Sequence, residues 1–294
     1  MNTSTTQPST NCNKPQVDVT STHFAQLAEE GLRKFRREDG RLIDPAHIPR
    51  LVEALSWIGD IRQLPAKVCD LATFGDIDPV LAEMFGITDI TTTGFKQDGP
   101  PKDELVFLEG HGAVSQRFAH DRFDIEDGFP YPDELFDLII FTEVLEHISR
   151  DPMHTLSEIN RVTQPGGRLL LSTPNCASVR SVVNVVRGHH PYLWPPYSRD
   201  GHRDRHNREY TPLEVRQLIE AAGYEVERLE CITARHRMES LPTRLARKLL
   251  TLGVSAFRRL LGGPARLGWD GELIFVLARK VSPVTDRYPA CLYY

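Results

Sequence analysis

The sequence predicts an α/β protein: a mostly parallel sheet with helices on both faces. Two observations predict it. From about residue 65 to residue 280, short apolar runs alternate with helical stretches, the rhythm of strands joined by crossover helices. Some of those runs are apolar without interruption, FDLIIF at 136–141 above all, as strands covered on both faces must be. The length of 294 residues, 40% of them hydrophobic, suits one large domain that buries its core without a covalent staple.

In chain order, residues 1–22 are polar and rich in Ser, Thr and Asn, which predicts a disordered tail. Phe24, Leu27, Ala28, Leu32 and Phe35 recur at helical spacing, followed by Ile48, Leu51, Leu55, Trp57 and Ile58; residues 23–62 thus read as a small helical cap. Strands are expected at 67–71, 89–93, 104–108, 136–141, 168–172, 225–232 and 272–278, with helices at 79–85, 151–162 and 212–222. Two insertions interrupt the scheme. Residues 180–208 are rich in His, Arg, Pro and Tyr and show little periodicity. Within 240–268, the stretch TRLARKLLTLGVSAFRRLL predicts a basic amphipathic helix. It is either a lid whose apolar side packs on the domain or an interfacial helix that meets anionic lipid or a lipid-linked substrate. Residues 282–294 are expected to be a C-terminal tail, and the whole of 63–281 one domain.

Composition excludes several classes. Cys12, Cys69, Cys176, Cys231 and Cys291 are scattered, with no CxxC spacing, against a zinc knot or a disulfide framework and in favour of a reducing, cytoplasmic compartment. No apolar run reaches the ~18–20 residues that span a bilayer, and the start of the chain lacks a secretory pattern. A net charge of -5 gives no reason to expect general nucleic-acid binding.

In open α/β sheets, ligands lie beyond the carboxyl ends of the strands. The first such end reads Val68-Cys69-Asp70-Leu71-Ala72-Thr73-Phe74-Gly75, and a small-residue loop there lets backbone approach a nucleotide-like ligand. After a later strand, Asp124 and Ile125 offer an acid and an apolar neighbour suited to an adenine ring. An acidic surface turn is the plainer reading of the same residues. The most informative stretch is FDLIIFTEVLEHISRDPMHTLSEINRVTQPGGRLLLSTPN, residues 136–175: buried strand, polar strand end at Thr142 and Glu143, helix, tight turn, second buried strand.

That stretch closely resembles the class I S-adenosylmethionine-dependent methyltransferases (type 11/23-like), and the resemblance extends over most of 66–280, through HNREYTPLEVRQLIEAAGYEV and GELIFVLARK. It implies a Rossmann-like sheet of seven strands, the last antiparallel, with S-adenosylmethionine over the first two strand ends. The family's first acid falls on Asp70, its glycine loop on Ala72, Thr73 and Gly75, its adenine-side acid on Asp124 beside Ile125, and its fourth strand end on Thr142 and Glu143. Ala72 and Phe74 stand where glycines are usual. The ribose acid is missing near Thr93, and Asp98 is the nearest substitute.

Glu143, Glu146 and His147 share one face if a helix begins at the strand end. The ExxEH pattern is similar to that of ubiquinone-pathway and small-RNA O-methyltransferases, where an ion binds the hydroxyl being methylated, and His206 lies where the RNA enzymes place a further ligand. The resemblance therefore implies Mg²⁺ or another divalent ion on Glu143, Glu146, His147 and His206. Alternatively Glu146 and His147 simply pack, or His147 or His206 acts as a metal-free base. The C-terminal part resembles methyltransferases of bacterial polysaccharide and lipid-glycan synthesis, which implies a sugar hydroxyl as acceptor. A small natural product methylated at O or N, or a degenerate fold kept as a binding module, are the alternatives. Contact with the inner face of a membrane through 243–261 is a further expectation.

Overall fold

The structure, a computed structural model, describes residues 21–109, 113–192, 205–233, 241–260 and 271–294. The expected tail at 1–20, the centre of the first insertion (193–204) and residues 261–268 of the second lie outside them.

Ser21 starts the cap, its hydroxyl accepting from Phe24 N at 3.0 Å, and α1 runs Thr22–Lys34. Strand β1 (Phe35–Arg37) and helix α2 (Ile48–Gly59, with a proline in its first turn) follow. Then come β2 (Lys67–Asp70), a short α3 (Asp78–Val80) that loosens into a wider π turn at Leu81–Phe85, and β3 (Asp89–Gly94). Strands β4 (Lys102–Glu109), β5 (Ala113–Arg122) and β6 (Phe136–Thr142) complete the first half. Helix α4 (Pro152–Val162) is capped by Asp151, and β7 spans Thr163–Pro174. Helix α5 (Val179–Val186), α6 (Pro212–Ala221), β8 (Tyr224–Ile232), α7 (Leu241–Leu260) and β9 (Leu273–Lys280) close the chain. A reciprocal Thr211–Glu214 capping box and Pro212 start α6, a sequence-readable helix signal.

Among the described residues the sheet has nine strands, in the order β1-β4-β5-β3-β2-β6-β7-β9-β8. Strands β5, β3, β2, β6 and β7 pair in parallel, while β9 inserts antiparallel between β7 and β8. The expected count of seven is corrected to nine: β4 and β1 add antiparallel to the edge at β5. Residues 104–108 thus belong to an antiparallel strand between β1 and β5, and the parallel strand, β5, escaped the sequence pattern. Its polar stretch SQRFAHDR buries only alternate residues such as Phe118 and His120, so no continuous apolar run marks it. Residues 179–186 are a helix where little periodicity was expected.

Two apolar clusters sandwich the sheet. One joins α1, α2 and α3 to the sheet through Phe24, Leu55, Trp57 and Val80; the cap is therefore part of the main core, not a separate unit. The other joins α4 and α6 through Met153, Leu156 and Leu218, and takes in Leu292 and Tyr293. The C-terminal segment is a strap rather than a loose tail: Arg287 pairs with Asp151 at 2.9 Å, and the Tyr293 hydroxyl donates to the same carboxylate.

Candidate active site

The strand order reverses at β2, which pairs with β3 on one side and β6 on the other. Crevices open at such a switch point. Three described non-glycine residues have positive φ, and two of them, Ala72 (55°) and Glu143 (56°), terminate β2 and β6 there. A side chain in this left-handed region is strained by roughly 1–2 kcal/mol, so the surroundings must hold it. For Ala72 they do: its N–H donates to Thr93 Oγ1 at 2.7 Å, and Thr73 N–H to Thr93 O at 2.9 Å. The loop continues with Thr73 Oγ1 accepting from Gly75 N–H at 3.2 Å.

A cleft of about 140 Å³ lies between these strand ends, lined by Ala72, Phe74, Gly94, Phe95, Phe123, Asp124, Ile125, Glu126, Glu143, Val144, His147 and Ile148. Thus Ala72, Asp124, Ile125, Glu143 and His147 meet as the sequence suggested. Asp98 does not: it sits exposed at the end of a 3-10 turn and is absent from the lining. Thr142 ends β6 just behind Glu143, in register with Ser172. The place near the missing ribose acid is occupied by His120, unnoticed in the sequence. Its ring bonds Thr92 Oγ1 at 2.6 Å, and a Cβ added at Gly94 would lie 2.7 Å from its Nε2. Burial, helped by Arg122, lowers its pKa to about 4, so the ring is neutral at pH 7.

Below the loop, Asp70 and Asp78 are fully buried. Asp70 Oδ2 and both Asp78 oxygens have no hydrogen-bond partner; two carboxylates bond each other only by sharing a proton. Burial raises both pKa values, that of Asp78 to about 7, and Asp78 raises that of Asp70 further. The cap closes over the other side of the loop. The Arg41 guanidinium lies 3.1 Å from the centre of the Phe74 ring, and Arg37 donates to Phe74 O at 3.2 Å. Arg50 pairs with Glu143 Oε2 at 2.9 Å.

No helix begins at the end of β6, the condition for one shared face. Only a single 3-10 turn, Leu145–His147, forms, so the three acidic and imidazole groups do not share a helical face. Glu143 turns toward Ser172, accepting its hydroxyl at 2.7 Å, and toward Arg50. Glu146 instead buries its carboxylate, accepting from Thr173 Oγ1 at 2.8 Å; burial, then the nearby Glu143 charge, raise its pKa well above the usual range. His147 donates from Nδ1 to Arg205 O at 3.0 Å, and His206 Nδ1 bonds Glu209 Oε1 at 2.8 Å. Their rings meet edge to face with centroids 5.0 Å apart. Fixing each Nδ1 leaves Nε2 as the acceptor. One ligand atom each from Glu146, His147 and His206 lies within 4.8 Å of the other two. Glu143 is not part of that group, a correction to the four-residue set.

A switch-point cleft with paired histidines beside it defines a doubly wound α/β protein with a ligand site between β2, β3 and β6. Among known families, a model described as a methyltransferase domain matches residues 43–229, and the chain belongs to that family. A protein of Mycolicibacterium smegmatis, whose name reads "Probable S-adenosylmethionine-dependent methyltransferase", is 34% identical over 115 residues, 38% of each chain. The chain thus spans well under half of that relative. Similar solved structures include an S-adenosylmethionine-dependent methyltransferase of Archaeoglobus fulgidus (TM-score 0.46, 15% identity, 79% of this chain and 91% of that one). Another is an S-adenosylmethionine-dependent methyltransferase of Mesorhizobium loti (TM-score 0.43, 16% identity, 82% and 99%).

Proposed function

We propose that the chain transfers the methyl group of S-adenosylmethionine to a hydroxyl of a sugar or of a glycan or glycolipid precursor, releasing S-adenosylhomocysteine. One observation carries the reading: His147 lines the cleft at the strand ends while His206 and Glu146 stand directly behind it. A hydroxyl is a poor nucleophile until its proton has somewhere to go. As its oxygen forms the bond to the methyl carbon and the carbon–sulfur bond breaks, His147 Nε2 takes the proton, and the carbonyl on Nδ1 holds the ring for that role. Proximity of the two reactants supplies much of the rate.

The cofactor suits the cleft. It is a cation, and Asp124, Glu126 and Glu143 put carboxylates on the cleft wall. Ile125 and Phe95 offer apolar surface beside Asp124. The cleft is smaller than the ~300 Å³ of ordinary ligand pockets, so binding requires Phe74, on the cap side, to give way.

A divalent ion is a second reading of the same cluster. Glu146, His147 and His206 present one oxygen and two imidazole nitrogens, a donor set that suits Mg²⁺ poorly and a transition ion well. Such an ion, when bound, would acidify the acceptor hydroxyl.

Calorimetric titration with S-adenosylmethionine and S-adenosylhomocysteine tests cofactor binding; absence of heat at millimolar ligand would make the chain a binding module. Methyl incorporation into a panel of sugars, nucleotide sugars and small phenols or amines then tests the acceptor class. Incorporation only into amines would end the hydroxyl reading. Undiminished transfer after chelation would select His147 over the ion.

A further inference from the structure

Helix α7 is inside out. Its residues Leu245, Leu249, Leu252, Ala256 and Leu260 step by four, three, four and four, one continuous stripe at 100° per residue, and all five are exposed. Leu252 and Leu260 expose 55% and 84% of their surface. The opposite flank faces the protein, with Ser255 buried and Thr251 and Val254 half-buried. A lid helix would show the reverse. The lid expectation is thereby corrected: the apolar side does not pack on the domain.

The surroundings extend the apolar surface. Helix α5 packs against α7 and ends on Val185 and Val186, 55% and 82% exposed. Among single exposed leucines a stripe this long is unusual for a protein that meets only water. It cannot cross a bilayer, since no described helix is long and apolar enough.

Charge selects what covers it. Arg244, Arg247, Lys248, Arg258 and Arg259 give the helix five basic residues and no acidic one, in a chain whose net charge is -5. On the helical wheel Lys248 and Arg259 border the stripe on one side, both exposed. A second copy docked through the same stripe would bring the Lys248 and Arg259 charges of both copies together. An apolar stripe bordered by cations instead matches an anionic lipid surface, with leucines among the acyl chains and basic groups at the headgroups.

We propose that α7 is an interfacial anchor that lays the protein on an anionic membrane. The proposal does not rest on methyl transfer. It has one consequence for it, however. Helix α5 leaves the sheet just past the carboxyl end of β7, the end that carries the cleft, so a docked α7 holds the cleft near the bilayer.

The test is co-sedimentation of the full chain with vesicles of phosphatidylcholine alone and with about one third phosphatidylglycerol. Binding to the anionic vesicles at least tenfold stronger than to neutral ones is expected. It should weaken in high salt, where the Debye length shortens, and by about fivefold per charge in Lys248→Gln and Arg259→Gln, from ~1 kcal/mol per basic residue. Leu249→Glu with Leu252→Glu should abolish binding while circular dichroism and the melting temperature stay unchanged, both side chains being exposed. Equal binding to both vesicles, no binding to either, or wild-type binding by the double variant overturns the proposal. So does a dimer in sedimentation velocity that the double variant splits without any vesicle binding.

Discussion

Two strand ends flank the cleft, and they treat their side chains in opposite ways. After β6, Glu143, Glu146 and His147 keep the sequence pattern of the family, yet the structure turns them to different partners: Glu143, on the cleft wall, to Arg50, Glu146 into the core, and His147 to the cleft and the Arg205 carbonyl. After β2 the pattern is broken at Ala72 and Phe74, yet the loop keeps its shape. It still turns through the left-handed region at Ala72 and Gly75, because Thr93 accepts the Ala72 N–H. The residue that replaces the usual ribose acid region thus supports the residue that replaces the usual glycine. An intact motif need not act as one unit, and a broken one can preserve its geometry when a neighbour compensates.

Predictions follow the same division. The largest effect belongs to the β6 side. His206→Ala removes the ring that packs on His147 and the Nδ1–H donor to the Glu209 carboxylate. If the cluster handles the acceptor proton, methyl transfer falls by about 10²-fold or more, while S-adenosylmethionine affinity stays within about threefold. Parallel losses of affinity and rate would instead show that His206 shapes the cofactor pocket, and the two sides would no longer be separable.

On the β2 side, Gly75→Ala comes next. Gly75 has φ 71°, and an added Cβ would lie 2.8 Å from Leu105 Cδ1 and 2.9 Å from Asp78 Oδ2. Strain of about 1–3 kcal/mol is expected, seen as a lower unfolding midpoint, together with at least tenfold weaker cofactor binding. Wild-type affinity in calorimetry would mean that the loop does not hold the cofactor.

A third prediction concerns pH. Burial raises Asp78 to about 7 in the folded chain, above the ~3.9 of an unfolded aspartate. Between those values the folded state binds the extra proton, so stability falls as pH rises. It should drop steadily between about pH 4 and 7 and level off above the folded pKa. Asp78→Asn, which stays neutral, should flatten that slope and stabilise the protein by on the order of 1–3 kcal/mol at pH 8. Denaturant midpoints for both proteins at pH 5 and 7 decide it; equal slopes would count against a shared proton under the loop.

The fold was largely legible because buried strands and periodic helices declare themselves: FDLIIF gave β6, and α6 lies at Pro212–Ala221 where a helix at 212–222 was expected. Strand β5 was not, since its half-exposed alternation hides among polar residues. The site was legible in residue identity and less so in partnership. Nothing local in sequence says that Glu143 reaches back to Arg50, or that His120 fills the space at Gly94; both are contacts between distant segments. The outward face of α7 was equally hidden, because a helical stripe fixes which residues share a face but not which way that face points.

The smallest effect tests whether the broken loop needs repair. Phe74→Gly would restore a usual family glycine. If Phe74 were a lesion, the change should tighten cofactor binding strongly. The structure gives the ring work to do, however: Arg41 lies over it at 3.1 Å, and the cap is thereby tied to the loop. An exposed cation–π contact of this kind is worth about 0.5–1 kcal/mol, and a new glycine adds chain entropy of similar size to be lost on folding. The variant should therefore melt slightly earlier, while cofactor affinity changes by less than about threefold, since relief of crowding in the cleft and loss of the cap contact oppose each other. A tenfold gain in affinity would show that the ring obstructs the site, and that the geometry preserved by Thr93 is not enough.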